Sequence, residues 1–370
     1  MWILFLGMFP FAVGIAFYFR RYFKRMAACF NLDNTAKWVR ILLWILPLLV
    51  GALCLNPLRF GAIIVLHVFV LSLLAELLDL VLRGMLKNKA GFLWKKLYLS
   101  GMLPIVLTVA LLVTGYVNMH AVVRTDYTVY TDKDVGKGYR VILIADVHYG
   151  VSLDKAELEE KCKDISSLEA DLVVLCGDIV DSSTNMKGLY EVFETFGKLK
   201  SKHGVFYVYG NHDRAERHGA HYTNAELETA IKAGGIRILR DEVLEIDDRL
   251  TLVGREDKGY GGEGNRQEIE DLLEQVDKSS FILTLDHQPT QYKENGIAGT
   301  DLLLSGHTHG GQLWPMDLIF KLFGINDFVY GQTQIDKDTF AIVTSGFAGW
   351  SYPVKTAAPA EYVVIDIKQK

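Results

Sequence analysis

The chain has 370 residues, with 39 basic against 44 acidic side chains, a net charge of −5 and no long basic run. That balance argues against nucleic acid as the main partner. Its four cysteines, Cys29, Cys54, Cys162 and Cys176, are scattered without a CxxC pair, so neither a thiolate metal cluster nor a disulfide framework is indicated.

Residues 1–118 are strongly apolar and read as a transmembrane region. Four runs, about 2–19, 38–55, 60–82 and 97–117, are each long enough for a helix to cross about 30 Å of hydrocarbon. They leave almost no polar face, unlike the core helices of a soluble domain. A cleaved leader does not fit the first run, because its basic residues follow the apolar stretch. The segment after it carries Arg20, Arg21, Lys24, Arg25, Lys37 and Arg40 against Asp33 alone, and residues 83–96 carry Arg83, Lys87, Lys89, Lys95 and Lys96 with no acid. Basic loops stay cytoplasmic, so a multi-pass plasma-membrane protein is expected, with everything after Val117 outside the cytoplasm. The third run holds His67, Glu76 and Asp79. Asp79 and Arg83 are spaced i,i+4, which suits either an ion pair near the membrane surface or a substrate path.

Residues 119–138 read as a linker with strand-like alternation, and 139–370 as one α/β domain. Strands are expected at 139–145, 172–176, 205–209, 281–286 and 302–305, alternating with helices at 154–168, 186–200, 224–232 and 266–276. Short β pieces at 236–239, 243–246 and 250–253 read as a hairpin-rich edge, and 340–344 and 362–367 close the domain. This order implies mixed sheets sandwiched by helices.

Just beyond these strands stand Asp146-Val147-His148, Gly177-Asp178-Ile179-Val180-Asp181, Gly210-Asn211-His212-Asp213, His287 and Gly306-His307-Thr308-His309-Gly310-Gly311. Ligands gather at the carboxyl ends of strands in such folds. In an extended segment alternate residues share a side, so Asp146 with His148, and His307 with His309, can each aim two donors at one place. Mixed oxygen and imidazole donors suit Mn, Fe or Zn better than Ca or a thiolate-bound metal. A carboxylate bridging two ions about 3.5–4 Å apart suits in-line displacement at phosphorus. Each motif alone is commonplace; their combination in order after strands points to a two-metal hydrolase. Cys176, ending a strand, reads as a packed apolar residue.

At these residues the chain resembles the calcineurin-like binuclear metallophosphoesterases, whose pattern is D-x-H, G-D-x-x-[DE], G-N-H-[DE], H and G-H-x-H. The resemblance spans about 139–370 and is complete at every ligand position. It implies a four-layer α-β-β-α sandwich and two divalent ions, Mn first, with Zn or Fe as alternatives. One ion would be held by Asp146, His148 and His309, the other by Asn211, His287 and His307, with Asp178 bridging. His212 would stabilise transition-state charge or protonate the leaving oxygen, and Asp181 would orient it. The run Gly306–Gln312 (GHTHGGQ) and the later Ser351-Tyr352-Pro353-Val354-Lys355 look like the membrane-associated bacterial subgroup, while Ala145 and Tyr149 depart from its usual Ser and Leu. Members of that wider group cleave the pyrophosphate of UDP-diacylglucosamine or act on model phosphodiesters.

Arg214, Arg217 and Arg255 are candidate substrate cations, since cations beside a metal centre favour phosphate. His218 and His221 are weaker candidates as extra ligands. Residues 313–323 (LWPMDLIFKLF) are too short to span a membrane and read either as an interfacial helix or as a segment packed on the domain. The expectation is a membrane-bound phosphoesterase that hydrolyses a phosphodiester or pyrophosphate of an envelope lipid or nucleotide-linked substrate, through a metal-bridging hydroxide. The alternatives are a broad phosphomonoesterase and a non-catalytic receptor or transport accessory with a metal site. Membrane lipids are the expected surroundings.

Overall fold

The computed structural model describes residues 2–57, 59–85, 91–215, 219–258 and 266–370. It contains two compact units, Met1–Thr114 and Gly115–Lys370. The first unit holds α1 (Trp2–Cys29), α2 (Lys37–Leu53), α3 (Phe60–Met85), α4 (Phe92–Ser100) and most of α5 (Met102–His120).

Four spanning helices were expected; among the described residues, α3 and α5 are long and apolar enough to cross a membrane. At 17 residues α2 is only about 26 Å long, short of the hydrocarbon core. The apolar run 97–117 is interrupted, because Gly101 in the left-handed conformation (φ 66°) ends α4 and α5 starts at Met102. The first helix runs past its apolar stretch to Cys29, and Arg21 and Arg25 on that extension pair with Glu76 at 2.5 and 3.4 Å. Asp79 meets Arg83 at 2.8 Å and accepts from the Trp94 indole at 3.1 Å, as the ion-pair reading anticipates.

The second unit is built from β1 (Val123–Thr131), β2 (Tyr139–Ile144), α6 (Lys155–Ser166), β3 (Leu172–Cys176), α7 (Met186–Gly197), β4 (Val205–Val208), α8 (Asn224–Ala233), β5 (Arg237–Ile238), β6 (Glu242–Asp247) and β7 (Leu250–Gly254). It continues through α9 (Ile269–Leu273), β8 (Phe281–Leu285), α10 (Tyr292–Ala298), β9 (Leu302–Ser305), α11 (Met316–Phe323), β10 (Gly331–Gln334), β11 (Phe340–Val343) and β12 (Glu361–Gln369). The strands form two six-stranded mixed sheets, ordered β1-β12-β2-β3-β4-β5 and β10-β11-β9-β8-β7-β6.

Period-two alternation explains the layering. Val141 and Leu143 of β2 point into a core shared with Leu252 of β7, Leu283 of β8 and Leu304 of β9. Ile142 and Ile144 point the other way, against Leu158 of α6, Phe193 of α7 and Leu227 of α8. Val253 and Ile282 on the second sheet's outer face are covered by Ile269 and Leu273 of α9. The helices start where side chains supply acceptors: Asp154 and Glu157 form a capping box on α6, and Thr223 and Glu226 one on α8.

Two expectations change here. Residues 123–131, placed in a linker, are an edge strand of the first sheet, paired in parallel with β12 from Val123↔Glu361 to Thr131↔Gln369. The three short β pieces do not form one edge: β5 closes the first sheet, and the antiparallel β6–β7 pair closes the second.

Candidate metal centre

Asp146 follows β2, Asp178 follows β3, Asn211 follows β4, and His287 and His307 follow β8 and β9. The adjoining parallel strands bring these ends together, and the backbone bends sharply there. Asp146, His148, Asp178, His307 and His309 all have positive φ, between 42° and 73°. Such conformations are strained in non-glycine residues and persist only where the surroundings hold them. Main-chain bonds do so: Asp146 N donates to Gly177 O at 3.0 Å, and Val147 N and His148 N to Asp178 O at 2.9 and 3.1 Å. Gly177, at φ 80°, is required as glycine, because a Cβ there would lie 2.6 Å from His287 Nδ1.

The side chains gather into two triads, Asp146/His148/His309 and Asp178/His287/His307, buried apart from half-buried His307 and each with its donor atoms within 4.8 Å of one another. Asp178 lies between them: its Oδ2 is 3.1 Å from His287 Nε2 and 3.9 Å from His148 Nε2. His287 Nδ1 is 2.8 Å from Cys176 O and so donates to it, which leaves Nε2 facing Asp178. His148 Nδ1 contacts Asp181 Oδ2 at 3.1 Å, and its buried Nε2 has no hydrogen-bond partner. A buried imidazole nitrogen left unpaired beside two carboxylates is what a metal ligand looks like, and the mixed donors fit the two divalent ions expected.

Burial raises the Asp146 carboxyl to about 6, with the His287 imidazole opposing and Asp178 adding to the shift. Burial also pushes Asp178 up, but His287 and His148 outweigh it and hold this carboxyl well below the usual range. Burial, with His287 beside it, takes His307 down to about 4, which keeps its lone pair free.

Asn211 lies on the same turn as His212, whose main-chain N–H donates to Asp178 Oδ1 at 2.7 Å. The His212 ring lies 5.4 Å from that of His148 and 5.0 Å from that of Trp350, at the edge of the triads. One assignment is corrected: Asp181 was expected to orient His212, but its carboxylate meets His148, and its other oxygen accepts from Ser183 N.

The expected substrate cations do not gather at the centre. Arg214 is buried, ion-paired with Glu256 and stacked 4.1 Å over the Tyr209 ring, so its charge serves the fold. Arg255 is only 1% exposed and donates to Gln267 O at 2.8 Å. Arg217 and His218 lie outside the described residues, and His221 is exposed and belongs to neither triad. Cys176 is buried with its thiol toward Leu304 O, as a packing residue.

Two residues not assigned a role from sequence support the centre. Asp213 accepts four main-chain bonds: Oδ2 from Asp178 N and Gly210 N, both at 2.7 Å, and Oδ1 from Ile179 N at 2.9 Å and Val180 N at 3.1 Å. It clamps the turn after β3 to the turn after β4, and the only signal was its place as the last residue of the Gly210–Asp213 motif. Lys355, fully buried, donates through Nζ to the carbonyls of Ser345, Gly346 and Ala348, which fixes the loop behind Asp146. Burial lowers its ammonium to about 7, opposed by Asp146 and Glu361.

Comparison with known proteins agrees with this geometry. Residues 139–311 match the family model described as calcineurin-like phosphoesterase. The chain is 30% identical over 250 residues to an uncharacterized metallophosphoesterase of Aquifex aeolicus, covering 66% of this chain and 91% of that protein. It is 28% identical over 235 residues to an uncharacterized metallophosphoesterase of Campylobacter jejuni, covering 63% of this chain and 60% of the other. A Danio rerio protein named as a transmembrane protein with a metallophosphoesterase domain is 28% identical over 286 residues, covering 72% of this chain and 62% of that one. The chain thus spans under two thirds of the length of several of the relatives it matches.

Proposed function

Because the chain belongs to the calcineurin-like phosphoesterase family, we propose that it is a membrane-bound, metal-dependent phosphoesterase that cleaves a phosphodiester or pyrophosphate of a lipid- or nucleotide-linked substrate. The observation that carries this reading is the pair of triads joined at Asp178, with His212 beside them. Bound there, two divalent ions would supply a water of lowered pKa and Lewis-acid stabilisation of phosphoryl charge. Asp146, His148 and His309 would hold one ion, and Asn211, His287 and His307 the other, with Asp178 common to both; manganese is the first ion to test.

The protein's own part is positional. Asp181 holds the His148 ring so that Nε2 faces Asp178, and the Cys176 carbonyl does the same for His287. His212 stabilises charge on the phosphoryl oxygens or protonates the leaving oxygen, with Trp350 packed against its ring. An acid of this kind is needed for bond cleavage and not for binding, which favours catalysis over a receptor role.

The apolar helices and the basic loops between them support a multi-pass arrangement in the plasma membrane with the metal centre outside the cytoplasm. A protease finding the domain accessible only from the cytoplasmic side would reverse that orientation. The activity itself is tested on the full chain in detergent, with manganese and with chelator, on a bis-aryl phosphate and its mono-aryl counterpart. Manganese-dependent turnover dominated by the diester is expected, lost in Asp178→Asn and lowered by about 10²–10⁴ in His212→Ala. Dominant monoester turnover would make the protein a phosphatase, and full activity of both variants would refute the centre.

A further inference from the structure

We propose that the exposed apolar face of α11, formed by Leu318, Leu322 and Phe323 with Ile325 just beyond, docks into the interfacial layer of the lipid bilayer that α5 enters. The inference rests on reading α5 as a membrane span and, for its substrate consequence, on the activity proposed above.

The face is unpartnered. No side chain of α11 is buried, and Leu318, Leu322, Phe323 and Ile325 are 55, 79, 72 and 55% exposed. Leu318 and Leu322 stand i,i+4 on one side of the helix, with Phe323 alongside. Sequence alone left open a segment packed on the domain; the structure leaves Met316, Ile319 and Phe320 half-buried and this face exposed.

Lipid is the occupant because of what α11 is tied to. The last turn of α5, the part belonging to the second unit, is bonded to the loop before β12: Lys355 N donates to Gly115 O at 2.9 Å and Asn118 Nδ2 to Lys355 O at 3.2 Å. That loop is in turn bonded to the segment leading into α11, through Ala357 N to Gln312 O at 3.1 Å and Trp314 N to Thr356 Oγ1 at 2.9 Å. Two hydrogen-bonded steps therefore connect the emerging end of an apolar spanning helix to an exposed apolar helix. An amphipathic helix so placed buries its apolar face about 5–10 Å into the headgroup boundary. Asp317, in the first turn of α11, abuts Gly311, two residues from His309. The triads would then lie beside the lipid surface, which makes phosphate esters of membrane lipids the substrate class that reaches them without leaving the bilayer.

The test uses the full chain, one copy per nanodisc, with a fluorophore on Leu322→Cys in a Cys29→Ser background and nitroxide-labelled lipid as quencher. Val109→Cys, midway along α5, and Tyr190→Cys, exposed on α7, serve as references. Quenching at 322 that approaches that at 109 supports docking. Quenching no greater than at 190 overturns it, as does shielding from aqueous iodide without lipid quenching, which would assign the face to a protein contact or a second copy. An unquenched label at 109 removes the premise and the proposal together. No turnover enters this readout, so an inactive protein would fail the proposed activity and leave the docking result standing.

Discussion

Replacing Asp213 by Asn tests how the centre is assembled without touching a candidate metal ligand. The carboxylate accepts four main-chain N–H groups, two on each oxygen, from Gly210, Asp178, Ile179 and Val180. An Asn keeps one oxygen and turns an NH2 toward the other two donors, so at least two bonds to a charged acceptor are lost. At about 1.5–3 kcal/mol for each such bond, the cost is about 3–6 kcal/mol, a large share of the about 5–15 kcal/mol that holds a domain together. Burial, with Asp178 adding, lifts this carboxyl to about 7 against the pull of those amides, so the comparison belongs at about pH 8.5, where it is charged. Hydrogen exchange of the amides of residues 177–181 in the full-length protein is the direct assay. Since about 1.4 kcal/mol is tenfold, their protection should fall by about 10²-fold or more, with the melting temperature lowered, while Asp164→Asn on the exposed face of α6 changes neither. Exchange within about twofold of the parent protein would refute the clamp, because two lost charge-assisted bonds cannot cost so little.

Asp181→Asn should weaken metal binding by about 10–100-fold by loosening His148, measured as metal retained against a chelator series; unchanged affinity would return Asp181 to His212. Lys355→Met leaves the carbonyls of Ser345, Gly346 and Ala348 without their donor and should cost about 3 kcal/mol or more in denaturant unfolding; an unchanged midpoint would show that the loop needs no ammonium. Bound metal should be retained at neutral pH and lost as pH falls through about 6. The raised pKa of Asp146 means that the metal-free fold keeps its proton up to that pH, so protons compete with metal at higher pH than for an ordinary carboxylate. Metal content constant down to about pH 4.5 would exclude Asp146 as the group that sets this limit.

The residues that gather into the two triads were legible because their motifs follow short apolar runs, and the place where such a run stops is where a parallel sheet exposes its working edge. What spacing could not tell is which of two neighbouring rings a carboxylate meets. Asp181 lies three residues after Asp178, and the rings of His148 and His212 are 5.4 Å apart, so its partner was decided by tertiary geometry. Asp213 was hidden for another reason: its partners are main-chain amides, which leave no mark in residue types. Arg214 and Arg255 read as candidate substrate cations because Glu256 and Asp241, which lie near them in the fold, are unremarkable in sequence. The strand-like alternation of β1 was read as a linker because its partner comes some 240 residues later, and the break at Gly101 was missed because an apolar run hides one left-handed residue.

The first sheet is threaded so that β12 lies between β1 and β2. During synthesis every candidate metal-binding residue leaves the ribosome before residues 361–369 do, yet the sheet that positions Asp146 still has an open slot. Until that strand arrives, β2 presents bare main-chain donors and acceptors, a template for mispairing. A chain stalled before residues 361–369 should therefore be a substrate for quality control and not a partly active enzyme.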